Sequence, residues 1–145
     1  MTFQEMVQAN NTLSQCVRKG LKALSKGKKD KVNQGKNTKV TCSVDIDSCL
    51  QLQCPDQSRW DYGLGVGSRS IFLEIHPATT GEVEVVLKKL RWLKDWMRQN
   101  CPGFSRAEKE YYWLATGKVA VLKNSPQHRK IAASGLNGPA SYLKL

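Results

Sequence analysis

RWDYGLGVGSRSIFLEIHPA, residues 59–78, decides how this chain is read. Apolar residues and glycines alternate on both sides of Gly67-Ser68, a pair that suits a two-residue hairpin turn of type II′. The spacing predicts one strand over 59–66 and a second over 70–76. With that turn, cross-strand partners have numbers adding to 135. Asp61 then lies opposite Glu74, Tyr62 opposite Leu73, Gly63 opposite Phe72 and Arg59 opposite His76. Directly opposed side chains have β-carbons about 5 Å apart, and two carboxylates at that distance repel unless a cation or a proton intervenes. Strand alternation puts Asp61 on a face with Gly63 and Gly65, which is stripped of bulk and open to a close approach. Glu74 and His76 share a face with Phe72.

Outward from this hairpin the pattern continues on both sides. Phe3, Met6, Val7, Leu13, Cys16, Val17, Leu21 and Leu24 recur at helical spacing and predict an amphipathic helix over 3–24, with Glu5 in its first turn. Val40, Cys42, Val44 and Ile46 alternate with polar residues, which predicts a strand over 39–47 that can run on to Leu52. Asp45 and Asp47 share its polar face. After the hairpin, Thr79 with Glu82 reads as a capping box. Val83, Val86, Leu87, Leu90, Leu93 and Met97 then form a helical stripe, with Trp92 and Trp96 on its flank, and Pro102-Gly103 ends the helix. Glu110–Thr116 and Val119–Leu122 read as a hairpin around Gly117-Lys118. Ser125-Pro126 opens a last helix, which Gly135 stops. The expected fold is α/β (α+β): a central mixed sheet flanked by helices in the order α-β-β-β-α-β-β-α, as one domain over 1–145.

Charge narrows the partners. The chain has 145 residues and a net charge of +11, from 23 Lys and Arg against 12 Asp and Glu. Nine of these cations fall between Arg18 and Lys39, with Asp30 the one acid among them. The glycines and asparagines of 25–38 predict a flexible basic loop. Lys26, Lys28, Lys29, Lys31, Lys36 and Lys39, with Arg59 and Arg69 on the hairpin, are the candidate contacts to the phosphates of DNA or RNA. No apolar run reaches the ~20 residues of a membrane span, so no membrane partner is expected. The N-terminus lacks the basic start and apolar core of a secretion signal. The five cysteines at 16, 42, 49, 54 and 101 have no Cys-x-x-Cys spacing and read as buried reduced thiols, giving a cytoplasmic protein.

Two carboxylates on neighbouring strands make a hard-oxygen site suited to Mg²⁺ or Mn²⁺, to which the backbone carbonyl of Ile75 can add a ligand. A metal there activates water and neutralises a phosphate under attack. The Asp on one strand, the acid on the next and the helix after them resemble the PD-(D/E)xK nuclease superfamily, from Phe3 to about Leu122. The resemblance implies a restriction-endonuclease-like fold and a metal-dependent nuclease with Asp61 and Glu74 as metal ligands. It also implies a lysine two positions after Glu74, where this chain has His76. Either His76 acts there as base or donor, or Lys89 reaches in from the edge of the following helix, while Lys88 points away from the core. Otherwise the site has lost catalysis and keeps only binding. The remaining readings are a non-catalytic nucleic-acid-binding module, whose helix–three strands–helix order is similar to that of double-stranded-RNA-binding domains half this length, and a protein-binding adaptor using Trp92, Trp96, Tyr111, Tyr112 and Trp113.

Overall fold

The computed structural model describes residues 1–145. The elements run α1 (Phe3–Gln8), β1 (Arg18–Lys19), α2 (Lys26–Lys29), β2 (Val32–Asn33), β3 (Cys42–Asp45), α3 (Ile46–Cys49), β4 (Tyr62–Val66), β5 (Arg69–Ala78), α4 (Val83–Asn100), β6 (Glu108–Val119), α5 (Pro126–Ala133), β7 (Leu136–Ala140) and β8 (Leu143–Lys144). Single 3₁₀ turns lie at Leu13–Cys16, Thr80–Glu82 and Phe104–Arg106. The fold is mixed α+β. Six strands form one sheet in the order β1-β3-β4-β5-β6-β7, and β2 and β8 pair in a small parallel ladder. The first four strands of the large sheet are antiparallel, and β5, β6 and β7 are parallel.

The central hairpin has the register that its turn dictates. Tyr62 pairs with Leu73, Gly63 with Phe72 and Val66 with Arg69. Gly67 has φ +60°, the conformation that the first turn residue must take and that glycine adopts without a side-chain penalty. Period-two alternation then sorts the side chains between two cores. Tyr62, Leu64, Ile71, Leu73 and Ile75 pack with Leu21, Leu24, Val32, Val40 and Leu143 on one face. Phe72, Trp113 and Ala115 pack with Phe3, Met6, Val86, Leu90, Leu93 and Met97 on the other. The bare strip at Gly63 and Gly65 is filled from within. The Phe3 ring lies so close that a β-carbon on Gly63 would meet it at 2.5 Å. The close approach expected there is a packed helix, α1, and not a ligand.

Several expected elements are shorter or differently joined. The helix expected over 3–24 stops at Gln8, because the Asn10 side chain accepts the N–H groups of Thr12 and Leu13 and turns the chain. Arg18 and Lys19 then pair with β3 at the edge of the sheet. The segment 25–38 holds two short elements, α2 and β2, buries Val32 and returns the Gln34 side chain to the Val40 N–H. The strand expected over 39–47 ends at Asp45, whose carboxylate caps α3 through Ser48, while Asp47 pairs with Arg59. No hairpin forms around Gly117-Lys118. β6 runs through them as a bulge, with Pro77 opposite Thr116 and Ala78 opposite Val119, and Gly117 at φ +76°. The last helix starts at Ser125-Pro126 as expected, and it leads to the parallel strand β7.

The cysteines also depart from expectation. Cys42, Cys54 and Cys101 are buried thiols, but Cys16 and Cys49 are joined in a disulfide. Their 33-residue separation carries no spacing signal, and the packing of the Leu13–Cys16 turn against α3 brings them together. No helix is long and apolar enough to cross a membrane.

Candidate functional site

Where β4 begins and β5 nears its end, the two acids meet. The Asp61 N–H donates to Glu74 Oε1 at 3.1 Å, and the Ile75 N–H donates to Asp61 Oδ2 at 2.9 Å. One oxygen of each carboxylate is therefore tied to the partner strand. The other two, Asp61 Oδ1 and Glu74 Oε2, face a single cation, Lys89 of α4. Its Nζ contacts Glu74 Oε2 directly and lies 3.5 Å from Asp61 Oδ1. Lys89 is held there because Val86 and Leu90 on the same helix side are buried against the sheet. Lys88, one residue earlier, is exposed.

His76 completes the cluster. Its Nδ1 is 3.4 Å from Glu74 Oε2, and its Nε2 is 2.9 Å from Glu82 Oε2. The Trp113 indole N–H donates to the His76 carbonyl at 3.1 Å and pins that backbone. Glu82 is the member that sequence pattern does not reveal. Its spacing from Thr79 suits a capping box, yet Thr79 makes no side-chain cap and Glu82 turns to the histidine. No periodicity marks this role, because it depends on where the 3₁₀ turn after β5 sets the side chain. Glu5 closes a capping box with Thr2.

Burial sets the electrostatics. Glu74 has no exposed surface, while the Asp61 and Lys89 side chains are 16% and 15% exposed. Burial and then the neighbouring Glu74 charge raise Asp61 to about 6, against the pull of Lys89, the Ile75 N–H and Lys28. Burial is also the largest effect on Lys89 and pushes it down, but Glu74 and Asp61 together raise it above its ordinary value. The hydrogen bond to Glu74 raises His76, with Glu82 adding to it against burial.

The basic residues divide into two groups. Arg59 is bound to Asp47 at 2.9 Å and to the Cys54 carbonyl, and Arg69 is paired with Glu110 at 2.6 Å. Both therefore have a carboxylate partner within the fold. Lys28 donates to the Tyr62 hydroxyl at 3.2 Å, beside Asp61, and Lys31 to the Ala115 carbonyl at 2.8 Å. Lys26, Lys29, Lys36 and Lys39 are exposed and make no ion pair. Trp96, Tyr111 and Trp113 are core residues, and Trp92 stacks on Trp96 with its N–H on Gln57.

Asp61 Oδ1 and Glu74 Oε2 converge on one point, and Lys89 Nζ occupies it. No group of three or more His, Cys, Asp or Glu side chains is arranged to hold a metal. None of the three surface cavities is lined by Asp61, Glu74 or Lys89. No protein-family model, curated protein or solved structure matches the chain.

Proposed function

We propose that this protein is a metal-dependent nuclease, a divergent relative of the PD-(D/E)xK enzymes with a restriction-endonuclease-like core. The reading is carried by one observation: Asp61 and Glu74 from adjacent strands and Lys89 from the following helix meet at one point. The topology supports it, since three antiparallel strands lead through a helix to a strand parallel with the third. In this reading Lys89 takes the part of the strand lysine that His76 replaces. Asp61 and Glu74, with the Ile75 carbonyl, would hold Mg²⁺ or Mn²⁺. When bound, such an ion activates water and offsets the charge of the phosphate under attack. Lys89 must leave its seat between the carboxylates and then meets the phosphate oxygens. His76, held by Glu82, fixes the orientation of Glu74. The unpaired lysines of 26–39 hold the polynucleotide backbone without reading its bases.

The test uses labelled single- and double-stranded DNA and RNA with Mg²⁺, Mn²⁺ or EDTA. Metal-dependent cutting that Glu74→Ala abolishes is the expected result, and Lys89→Ala lowers it by at least ~100-fold. Cutting that persists in Glu74→Ala overturns the assignment.

A second reading has its own support: Glu74 is fully buried and no cavity opens on the cluster. In a nucleic-acid-binding module the three charges would serve the fold alone. No substrate would be cut, and salt-sensitive binding would survive Glu74→Ala.

A further inference from the structure

The Cys16–Cys49 disulfide lies in the wall of a surface cavity of about 300 Å³. Both cysteines are half-buried and belong to the lining of a space that a small molecule can enter. Arg18 and Lys22 line the same cavity, and both are exposed. Arg18 bonds only to the carbonyls of Gln15 and Val17, and neither cation has a carboxylate partner. The one acid of the lining, Asp45, has both oxygens engaged by Ser48, one with its N–H and the other with its hydroxyl. The cavity thus offers an oxidised sulfur pair and two uncommitted positive charges, and its one negative charge is partly spent.

We infer that this cavity is a thiol–disulfide exchange site for a small thiol bearing a carboxylate. Arg18 and Lys22 hold the carboxylate while the thiolate attacks Cys49 Sγ. A sulfur–sulfur bond forms to Cys49, the Cys16–Cys49 bond breaks, and Cys16 leaves as the thiolate. A second thiol then displaces the first from Cys49. The protein gains two electrons as two thiols, and the two small thiols become one disulfide. The direction follows from the neighbours, since the sulfur whose thiolate is better stabilised leaves faster. Cys16 is two residues from Arg18, whereas Cys49 is the last residue of α3, at the helix's carbonyl end. The exchange bears on the carboxylate cluster as well. The Ile46 and Asp47 N–H groups of α3 donate to the Asp61 carbonyl at 2.8 and 3.3 Å, so the disulfide anchors the segment that holds Asp61. The inference stands on the cavity and does not depend on nuclease activity.

The experiment takes the oxidised full-length chain and three thiols at matched thiolate concentration and low ionic strength. They are anionic thioglycolate, neutral 2-mercaptoethanol and cationic cysteamine. Opening of the disulfide is followed by alkylation and mass spectrometry. Before reduction three cysteines should be alkylated in denaturant, matching the three free thiols; five alkylated residues would overturn the inference at once. Thioglycolate should react roughly tenfold faster than cysteamine, with the gap closing as salt rises. The Arg18→Gln/Lys22→Gln double variant should lose the preference. Rates indifferent to thiol charge, or a preference that survives in the double variant, would refute the site. Acid-quenched mixed disulfide should map to Cys49, and an adduct on Cys16 would reverse the proposed leaving group.

Discussion

A carboxylate with no exposed surface needs a cation, a proton or several hydrogen bonds, and Glu74 is given the first and the last. Removing the cation leaves two acids facing each other in a buried edge. Lys89→Met should therefore destabilise the fold by about 3 kcal/mol, as for other buried pairs that lose one partner. Glu74→Gln combined with Lys89→Met should recover part of that loss, so a urea-denaturation cycle over the four proteins should show a coupling above ~1 kcal/mol. Additive losses would mean that Lys89 does not neutralise the pair. The acid titration gives a second prediction. Asp61 sits near 6 when folded and near 3.8 when unfolded, so between those values the folded protein holds more protons. Its contribution to stability is then full below about pH 4 and declines as the pH rises to 6, by on the order of 2 kcal/mol. His76, also raised, loses its contribution at higher pH, above its ordinary 6.5. Chemical denaturation in EDTA between pH 4 and 6 should show a slope that Asp61→Asn flattens and His76→Gln leaves in place. At this scale the two acids are legible in the sequence, because a period of two and a Gly-Ser turn suffice to oppose Asp61 and Glu74. Lys89 is legible only as one of two options, since a helical stripe locates a residue no more closely than to an edge. Glu82 is not legible, as its position follows from a tertiary turn.

Elements show why local pattern succeeds in the hairpin and fails near the N-terminus. The apolar spacing of 3–24 is helical, but propensity is a weak prior, and the Asn10 side chain supplies the chain's N–H groups with a competing turn. Likewise Gly117-Lys118 has hairpin chemistry. The run it interrupts lies between β5 and β7, and continued pairing with β5 makes a bulge the better use of two extra residues. The glycine pair of β4 has the pattern of an opening for a ligand, whereas Phe3 occupies it, edge-on to Phe72 with centroids 5.8 Å apart. This assignment is testable by overpacking. Gly63→Ala should cost about 1–3 kcal/mol, because its methyl group would strike a fully buried ring. Phe3→Leu in the same chain should relieve part of that cost, so the double variant should be more stable than the sum of the single effects predicts. An alanine at 63 without measurable effect on thermal unfolding would show that α1 does not dock on β4 this way.

On the scale of the whole molecule, two features join parts that no local pattern connects. The Cys16–Cys49 bond closes a loop across β1, α2, β2 and β3. By the chain-entropy relation a loop of that length contributes about 3–4 kcal/mol, so dithiothreitol should lower the urea midpoint clearly in the wild type and not in Cys16→Ser/Cys49→Ser. The other feature is the division of the positive charge. A net charge of +11 alone predicts attraction to any polyanion, but the contacts within the fold say which cations remain free to make it. Each lysine or arginine that neutralises a phosphate adds about 0.9 to the slope of log affinity against log salt on duplex DNA. Lys26, Lys29, Lys36 and Lys39 are exposed and without ion pairs, so changing Lys26, Lys29 and Lys36 to Gln together should lower that slope by up to about 2.7. Arg59 and Arg69 are already neutralised by Asp47 and Glu110. Changing either to Gln should leave the slope unchanged, although the sequence alone places both among the phosphate contacts. Fluorescence anisotropy with a short duplex across a salt series measures these slopes. An equal drop for the arginine and lysine variants would mean that the ion pairs open on binding and that net charge, rather than the surface left free by the fold, governs the interaction.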